Sequence, residues 1–431
     1  MIVHTKPGVA RRRVLAGLGA AGLLAACAVP SGRTAPKVVV VGGGFGGATA
    51  ARYLRLWSEG AIEVTLVEPN RRFVSCPLSN LVLGGSRTLD ELTRGYEGLA
   101  RHGVRVVHDH AVALDARRRA LRLAGGAALP YDRLVVAPGI ELMFDRIAGM
   151  SEAAADERVP HAWKAGPQTL LLRRQLEAMP DGGVVLIALP AAPYRCPPGP
   201  YERACQIAHF LKRHKPRGKV ILLDANPQVI SKAALFTRAW SEEFAGLVEH
   251  RPNAAVSAID LPSMTVTLEL GERVRGDVIN LLPPMRAGAF ARAAGLVNAG
   301  ERWCGVDWRT LESTAVPGVH VLGDATAAAP GMPKSGHMAN QHGKAVAAAL
   351  VEQLLHQREP APPVMNNTCY SFIDDRHAVH VSSVHRWVEA KKTLEPVAGA
   401  GGVSSLTREA WLQEGAYARG WAQAIWSDML A

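Results

Sequence analysis

Lys37–Pro69, KVVVVGGGFGGATAARYLRLWSEGAIEVTLVEP, is the stretch from which the fold class follows. Lys37 to Val41 is an apolar β-branched run of the kind found in a parallel strand buried on both faces, and it stops abruptly at Gly42. Gly42, Gly44 and Gly47 then fit G-x-G-x-x-G: one glycine for a tight turn, one for close approach of a pyrophosphate, one for close packing of helix on strand. A diphosphate sits well at such a helix N-terminus, where free N–H groups point outward. The second strand, Glu63 to Val67, ends at Glu68, placed where a carboxylate accepts hydrogen bonds from a ribose hydroxyl. An incidental glycine turn is the competing reading; strand, helix and terminal acid in this order weigh against it.

Upstream, Arg11, Arg12 and Arg13 precede an apolar segment, Val14 to Val29, followed by Pro30, Ser31 and Gly32. Residues 1–36 read as an export signal of the twin-arginine type, a route used largely by proteins that fold around a cofactor before export; an N-terminal membrane anchor is the alternative. Leu24-Ala25-Ala26-Cys27 also fits a lipoprotein processing box, with Cys27 as a lipid-attachment point. Lys6, Arg11, Arg12, Arg13 and Arg33 are the segment's only formal charges, so setting those five cations aside takes the net charge from +11 to +6. The 431 residues allow two or three domains, and 48% hydrophobic with 20% charged residues excludes disorder and fibres. No basic run interleaved with aromatics suggests a nucleic-acid surface, and no later apolar run has the length of a membrane span.

Downstream, Phe73-Val74-Ser75-Cys76-Pro77-Leu78-Ser79-Asn80 is a turn-rich loop. Cys76 is a buried structural thiol or a residue close to the dinucleotide. Val104–Val107 and Arg119–Leu123 read as short strands of an antiparallel insert around Gly125-Gly126. Tyr131 to Gly139, YDRLVVAPG, resembles the second fingerprint of flavin-disulfide reductases. A second Rossmann-like unit follows, with a strand over 183–189, a helix over 201–214, a strand over 219–223, then Asp224. Its first turn, Ala188 to Pro200, holds five prolines where a nicotinamide pyrophosphate needs backbone donors, so this unit is expected not to bind NAD(P)H. In their place it presents Cys196. A strand over 275–282 and a strand ending Gly323-Asp324 come next, the latter resembling the late flavin motif in which the aspartate holds the ribityl chain. Pro333-Lys334-Ser335-Gly336 opens a helix over 339–355, whose N-terminus and Lys334 are placed to face a flavin pyrimidine edge; a solvated surface lysine is the plainer reading. His377, His380 and His385 alternate as in a strand and lack metal-ligand spacing, so no metal is assigned.

The remaining cysteines, Cys205, Cys304 and Cys369, form no C-x-x-C with any other, so there is neither a local redox motif nor a C-x-x-C-H haem attachment. With VVVVGGGFGGATAARY, CPLSN, YDRLVVAPGIEL, PHAWKAG, YRCPPGPYERA, INLLPP, MPKSG and NTCYS, the chain resembles the flavoprotein subunit of flavocytochrome c sulfide dehydrogenase over residues 37–431. It departs from the family pattern in the Pro77 that follows Cys76. The fold so implied is α/β, with two Rossmann-like dinucleotide-binding domains in a glutathione-reductase-like arrangement and a mixed α+β C-terminal domain. The division is 1–36 export signal, 37–150 and 290–358 FAD-binding domain, 151–289 second Rossmann-like domain without a nicotinamide fingerprint, and 359–431 flavin-covering domain.

The resemblance implies that Cys196 and Cys369 form a redox-active disulfide over the flavin, that Cys76 carries FAD through a thioether, that Glu202 manages protons and that Trp421 lies near the flavin. Cys205 and Cys304 match no family motif and read as structural thiols. The implied function is oxidation of sulfide to sulfur or polysulfide, with electrons passed to a c-type cytochrome whose haem sits on a partner chain, in the periplasm. A sulfide:quinone oxidoreductase, an NAD(P)H-dependent reductase and a flavin electron-transfer module without substrate chemistry are the alternatives. The charges spread around Trp411, Trp421 and Trp426 in the tail weigh against the first, the prolines around Cys196 against the second, and the two cysteines beside the ring against the third.

Overall fold

Lys37–Val41 is the central strand of a five-stranded parallel sheet, ordered 105–107, 63–67, 37–41, 133–136, 319–321. Val38 to Val41 are all buried, which is why valine runs without a polar interruption. The computed structural model describes residues 34–431; the expected export signal, with Arg11, Arg12, Arg13 and Cys27, lies outside the described residues apart from its last three positions. Residues 35–431 pack as one unit. A second parallel sheet has the order 248–251, 219–224, 184–189, 278–281, so the α/β class with two Rossmann-like units holds.

Two strand expectations need correcting. Val104–Val107 does not belong to the antiparallel insert: Arg105–Val107 pairs in parallel with the 63–67 strand at the edge of the first sheet. The insert is a three-stranded meander of Ala111–Asp115, Ala120–Leu123 and Ala128–Pro130. The expected strand over 275–282 is two strands: Arg273–Arg275 ends a small antiparallel sheet, and Val278–Leu281 joins the second parallel sheet. The break falls at Gly276 and Asp277, where Asp277 accepts a hydrogen bond from Val184 N (2.8 Å) and sets the register of the new strand.

The C-terminal segment is an antiparallel sheet, in which Val364–Phe372 pairs along its whole length with Ala378–Val388. The final helix, Arg408–Leu430, docks on the first one, Phe45–Trp57. Arg52 donates to the Ser427 and Asp428 carbonyls (2.6 and 2.7 Å), and Asp428 also takes Asn340 and Lys344 from helix Gly336–Val351 (2.7 and 2.9 Å). Trp411 and Trp426 are buried, and Trp426 donates to Ser75 Oγ (3.0 Å).

The glycine turn divides its work as the spacing predicts. Gly42 has φ +95°, and a Cβ there would lie 2.3 Å from the Ala137 carbonyl. A Cβ on Gly47 would lie 1.8 Å from Gly42 O, because helix and strand cross there without side chains. A Cβ on Gly44 would meet nothing within 4 Å. Gly47→Ala is therefore expected to lose about 1–3 kcal/mol by overpacking, seen as a lower melting temperature, whereas Gly44→Ala should melt like the wild type. Equal melting of the two variants would contradict this division.

Candidate active site

The C-terminal ends of the first sheet's strands, the N-termini of helices Phe45–Trp57 and Gly336–Val351, and the loop before helix Gly199–His214 converge on one cavity of about 220 Å³. Gly44, Cys76, Cys196, Glu202, Asp324, Cys369 and Trp421 all line it. Gly42, Gly47, Glu68 and Lys334 are not among its lining residues.

The residues present fit a flavin dinucleotide. Gly44 caps its helix without any side-chain hydrogen bond, and no acid occupies the first turn, so the helix end offers free donors and positive partial charge to a diphosphate. Glu68 is held rigidly beside this turn: one oxygen accepts from Gly43 N (2.7 Å), the other from Asn70 N and Nδ2 (2.9 and 2.7 Å). Asp324 Oδ1 is buried with no partner in the protein, the cost of which a hydroxyl-bearing ligand removes. Burial raises the Asp324 carboxyl, opposed by Arg195 and Lys334.

Lys334 is neither a solvated lysine nor aimed at the cavity. Its ammonium donates to the carbonyls of Asp324 (3.0 Å) and Thr326 and lies 3.7 Å from the Trp303 ring centroid. Burial brings it down to about 8. Its own carbonyl accepts from Cys196 N (2.7 Å). The helix N-terminus beside it reaches the cavity through Ser335, Gly336 and His337 instead.

Cys196 sits in the left-handed region at φ +58°, and its carbonyl accepts from Gly199 N (2.9 Å), which starts the next helix. Cys369 lies on the Val364–Phe372 strand, its sulfur 3.4 Å from Asn367 Nδ2. Burial pushes the Cys196 thiol up to about 12, with Cys369 and Glu202 adding to it and Arg195 and Lys232 opposing. Burial raises Cys369 as well, against the pull of Asn367 and Lys232. Neither is joined in a disulfide in this structure. Cys76 lies across the cavity, its sulfur 3.5 Å from Arg195 Nη2 and 3.7 Å from the Trp163 carbonyl. Cys205 and Cys304 are fully buried thiols.

Glu202 is buried and accepts from Phe372 N (2.8 Å) and Asn80 Nδ2 (2.9 Å). Burial raises its carboxyl; those two donors, Lys232 and Arg203 pull the other way. Asn80, Arg203 and Lys232 were not singled out from sequence. Asn80 ends the CPLSN word and Arg203 follows Glu202, which are usable signals; nothing local marks Lys232. Trp421 meets His337 edge-on (centroids 5.9 Å apart) and Tyr370 (6.1 Å).

In the second parallel sheet, the strand-end acid Asp224 is wholly buried and saturated by the chain itself: it accepts from Tyr201 Oη (2.9 Å) and from Asn226 N and Nδ2 (2.8 Å each), with His250 Nε2 at 3.0 Å. Asn226 Oδ1 accepts in turn from Ala192 N (3.0 Å), tying down the proline-rich loop.

Three families match successive parts of the chain: pyridine nucleotide-disulphide oxidoreductase over residues 36–166, the central part of the sulfide dehydrogenase [flavocytochrome c] flavoprotein chain over 169–283, and the flavocytochrome c sulphide dehydrogenase flavin-binding family over 361–430. The flavoprotein chain of that enzyme from Chlorobaculum thiosulfatiphilum is 63% identical over 46 residues, 11% of this chain and 94% of that sequence. The mitochondrial sulfide:quinone oxidoreductase of Dictyostelium discoideum is 25% identical over 305 residues, 67% of this chain, and the match spans 65% of that protein, as it does for the mouse protein. Among solved structures, the sulfide:quinone oxidoreductase of Aquifex aeolicus superposes with a TM-score of 0.72 at 19% identity, covering 91% of this chain and 92% of that one. Putidaredoxin reductase in its covalent complex with putidaredoxin gives 0.65 at 19% identity, covering 91% and 93%. With the flavin-fitting turn, the three cavity cysteines and these matches together, the chain carries flavocytochrome c sulfide dehydrogenase flavoprotein segments over residues 169–283 and 361–430, on the α/β fold of FAD-dependent reductases.

Proposed function

We propose that this protein oxidises sulfide to sulfur or a short polysulfide through a Cys196–Cys369 disulfide and delivers the electrons to a c-type cytochrome on a partner chain. The observation that carries the reading is that Cys196 and Cys369, 173 positions apart in the sequence, line the same cavity as the dinucleotide turn and Glu202. The bound flavin supplies an acceptor that takes two electrons and releases them one at a time.

Hydrosulfide attacks one sulfur of the disulfide; the S–S bond breaks, leaving a persulfide on one cysteine and a thiolate on the other. A second hydrosulfide attacks the outer persulfide sulfur and leaves with it as disulfane, freeing the second thiolate; the two thiolates then re-form the disulfide by giving up two electrons to the bound acceptor. Both cysteines have raised pKa values, so thiolates formed in this cavity draw protons, and Glu202 is the buried carboxyl placed to take or give them. Arg195 and Lys232 favour the thiolate forms. Cys76, on the wall beside Gly44 and Arg195, is the residue we assign to a thioether with the flavin. Trp421 and Asp324 border the same space, and we assign Gly42, Gly47, Glu68 and Lys334 to the support of the bound cofactor. The FAD-binding domain then comprises 37–150 and 290–358, the second unit 151–289 and the covering domain 359–431. The periplasm, reached by twin-arginine export of residues 1–36 with Cys27 as lipid-attachment point, is the compartment that fits this reading.

Anaerobic addition of sulfide to the purified flavoprotein is expected to bleach the flavin, and added c-type cytochrome to restore its colour faster than a soluble quinone. Cys196→Ser, Cys369→Ser and the double variant should lose bleaching to a similar extent, since residues acting as one unit are not additive. A disulfide that is only a staple contributes about 2–4 kcal/mol of stability, so melting temperature is measured alongside. A folded, flavin-loaded double variant that bleaches at the wild-type rate would overturn the mechanism. For the covalent link, acid precipitation should leave yellow colour with wild-type protein and release it from Cys76→Ala; freely extracted wild-type flavin would remove the assignment. Finally, stopped-flow mixing with NADH or NADPH should give no flavin reduction at a competent rate, because Asp224 is already taken up by Tyr201, Asn226 and His250 and five of the loop's residues up to Pro200 are prolines without an N–H. Rapid reduction by either nucleotide would revive the reductase reading.

A further inference from the structure

Arg203 is a buried cation that touches no carboxylate among the described residues. Its Nε donates to Asn80 Oδ1 (3.0 Å), Nη1 to Asn280 Oδ1 and the His161 carbonyl (2.9 and 2.8 Å), and Nη2 to the Ala162 carbonyl (2.7 Å); the guanidinium also lies over Trp163, 5.0 Å from the ring centroid. A charge taken out of water without a counter-ion is costly, so the nearest anion matters. That anion is Glu202, one amide away. A guanidinium can only donate, so Asn80 must turn its oxygen to Arg203 and its nitrogen to Glu202, where Nδ2 to Oε2 is 2.9 Å. The amide is thus polarised from both ends inside a low-dielectric interior, where such chains reinforce each other.

We propose that Asn80 is a positioning residue that couples the Arg203 guanidinium to the Glu202 carboxylate and thereby sets the pH range in which Glu202 exchanges protons with the Cys196–Cys369 pair. The proposal rests on the sulfide-oxidation reading for the identity of the reaction, while the coupling itself rests on the hydrogen bonds alone. The other charged or titratable groups facing Glu202 are the two thiols and Lys232, whose ammonium is held by the Cys369 carbonyl (3.0 Å), Ser371 Oγ (2.7 Å) and the Val379 carbonyl (3.3 Å). Lys232 contacts none of Asn80's partners, so changes at Asn80 leave its pull on Glu202 in place. The sign of the effect follows from what each donor does. The Asn80 N–H stabilises the ionised carboxylate, so removing it makes ionisation harder and moves proton exchange to higher pH.

Two variants of the full flavin-loaded chain test this. Asn80→Leu removes the bridge, and the near-isosteric Asn80→Asp keeps the shape while replacing the donor to Glu202 with a like charge. The titration of Glu202 is followed by its carboxylic-acid infrared band, assigned by loss of that band in Glu202→Gln, and the pH profile of sulfide-driven flavin bleaching is recorded beside it. Both variants should raise the infrared midpoint by about one pH unit or more, and the rising limb of the bleaching profile should shift with it while the limiting rate at high pH stays within about threefold. An infrared midpoint that does not move in Asn80→Asp overturns the coupling, whatever happens to melting temperature or rate. A midpoint that moves while the bleaching profile stays fixed overturns the role in proton exchange. Wild-type protein that never bleaches with sulfide while the infrared midpoint still moves removes the sulfide reading and leaves the coupling standing.

Discussion

The hydrogen bond from Cys196 N–H to the Lys334 carbonyl, 2.7 Å long, is the joint at which three distant parts of the chain are fixed to one another. On one side of it the proline-rich loop of the second Rossmann unit is held at a left-handed residue, so Cys196 stands out from the loop. On the other, the Lys334 side chain grips the Asp324 and Thr326 carbonyls, and its neighbour Ser335 both caps helix Gly336–Val351 and donates to Asn367 Oδ1 (2.6 Å). Asn367 in turn contacts the Cys369 sulfur. One short path of main-chain and side-chain bonds therefore runs from the first thiol to the second. It passes directly behind the aspartate whose free oxygen awaits a ligand.

Such a site is built against the usual preferences of a protein interior. Arg203, Lys232 and Lys334 are all buried, and among the described residues none has a carboxylate oxygen within hydrogen-bond reach. Carbonyl oxygens and amides satisfy their N–H groups but neutralise no charge, so the cations act at a distance on whatever anion forms in the cavity. Against them stand Glu202 and Asp324, both raised by burial. The balance favours an anion in the cavity, and the carbonyl and amide oxygens that accept from Arg203, Lys232 and Lys334 hold these cations in the interior.

The sequence carried the parts whose physics is local. A valine run, a glycine turn and a strand-end acid each have a spacing that only one structure uses well, so the first dinucleotide unit could be read residue by residue. Val104–Val107 could not be assigned correctly, because a short apolar run does not say which strand it pairs with. The direction of Lys334 was also hidden, since its aromatic partner Trp303 and its carbonyl partners come from other segments. Asn80 reaches Glu202, and Lys232 comes near it, from separate stretches of chain that no spacing rule links to it; Arg203 is its sequence neighbour, but nothing local shows that Asn80 would bridge the two. The same holds for the cysteine pair, which family resemblance suggested and neither spacing nor composition could.

The saturated carboxylate of Asp224 has a bearing on how the protein can change. Tyr201, Asn226 and His250 all end on it, and Asn226 also holds the loop at Ala192, so the position that opens toward a nucleotide in other Rossmann units is here a closed internal knot. Removing any one donor leaves a buried acceptor short of a partner, at about 1–3 kcal/mol each, with no compensating ligand until the others and the prolines have gone too. Every single substitution that would begin to open this position therefore lowers stability before it gains anything, and the closed knot keeps the loop that carries Cys196 in place.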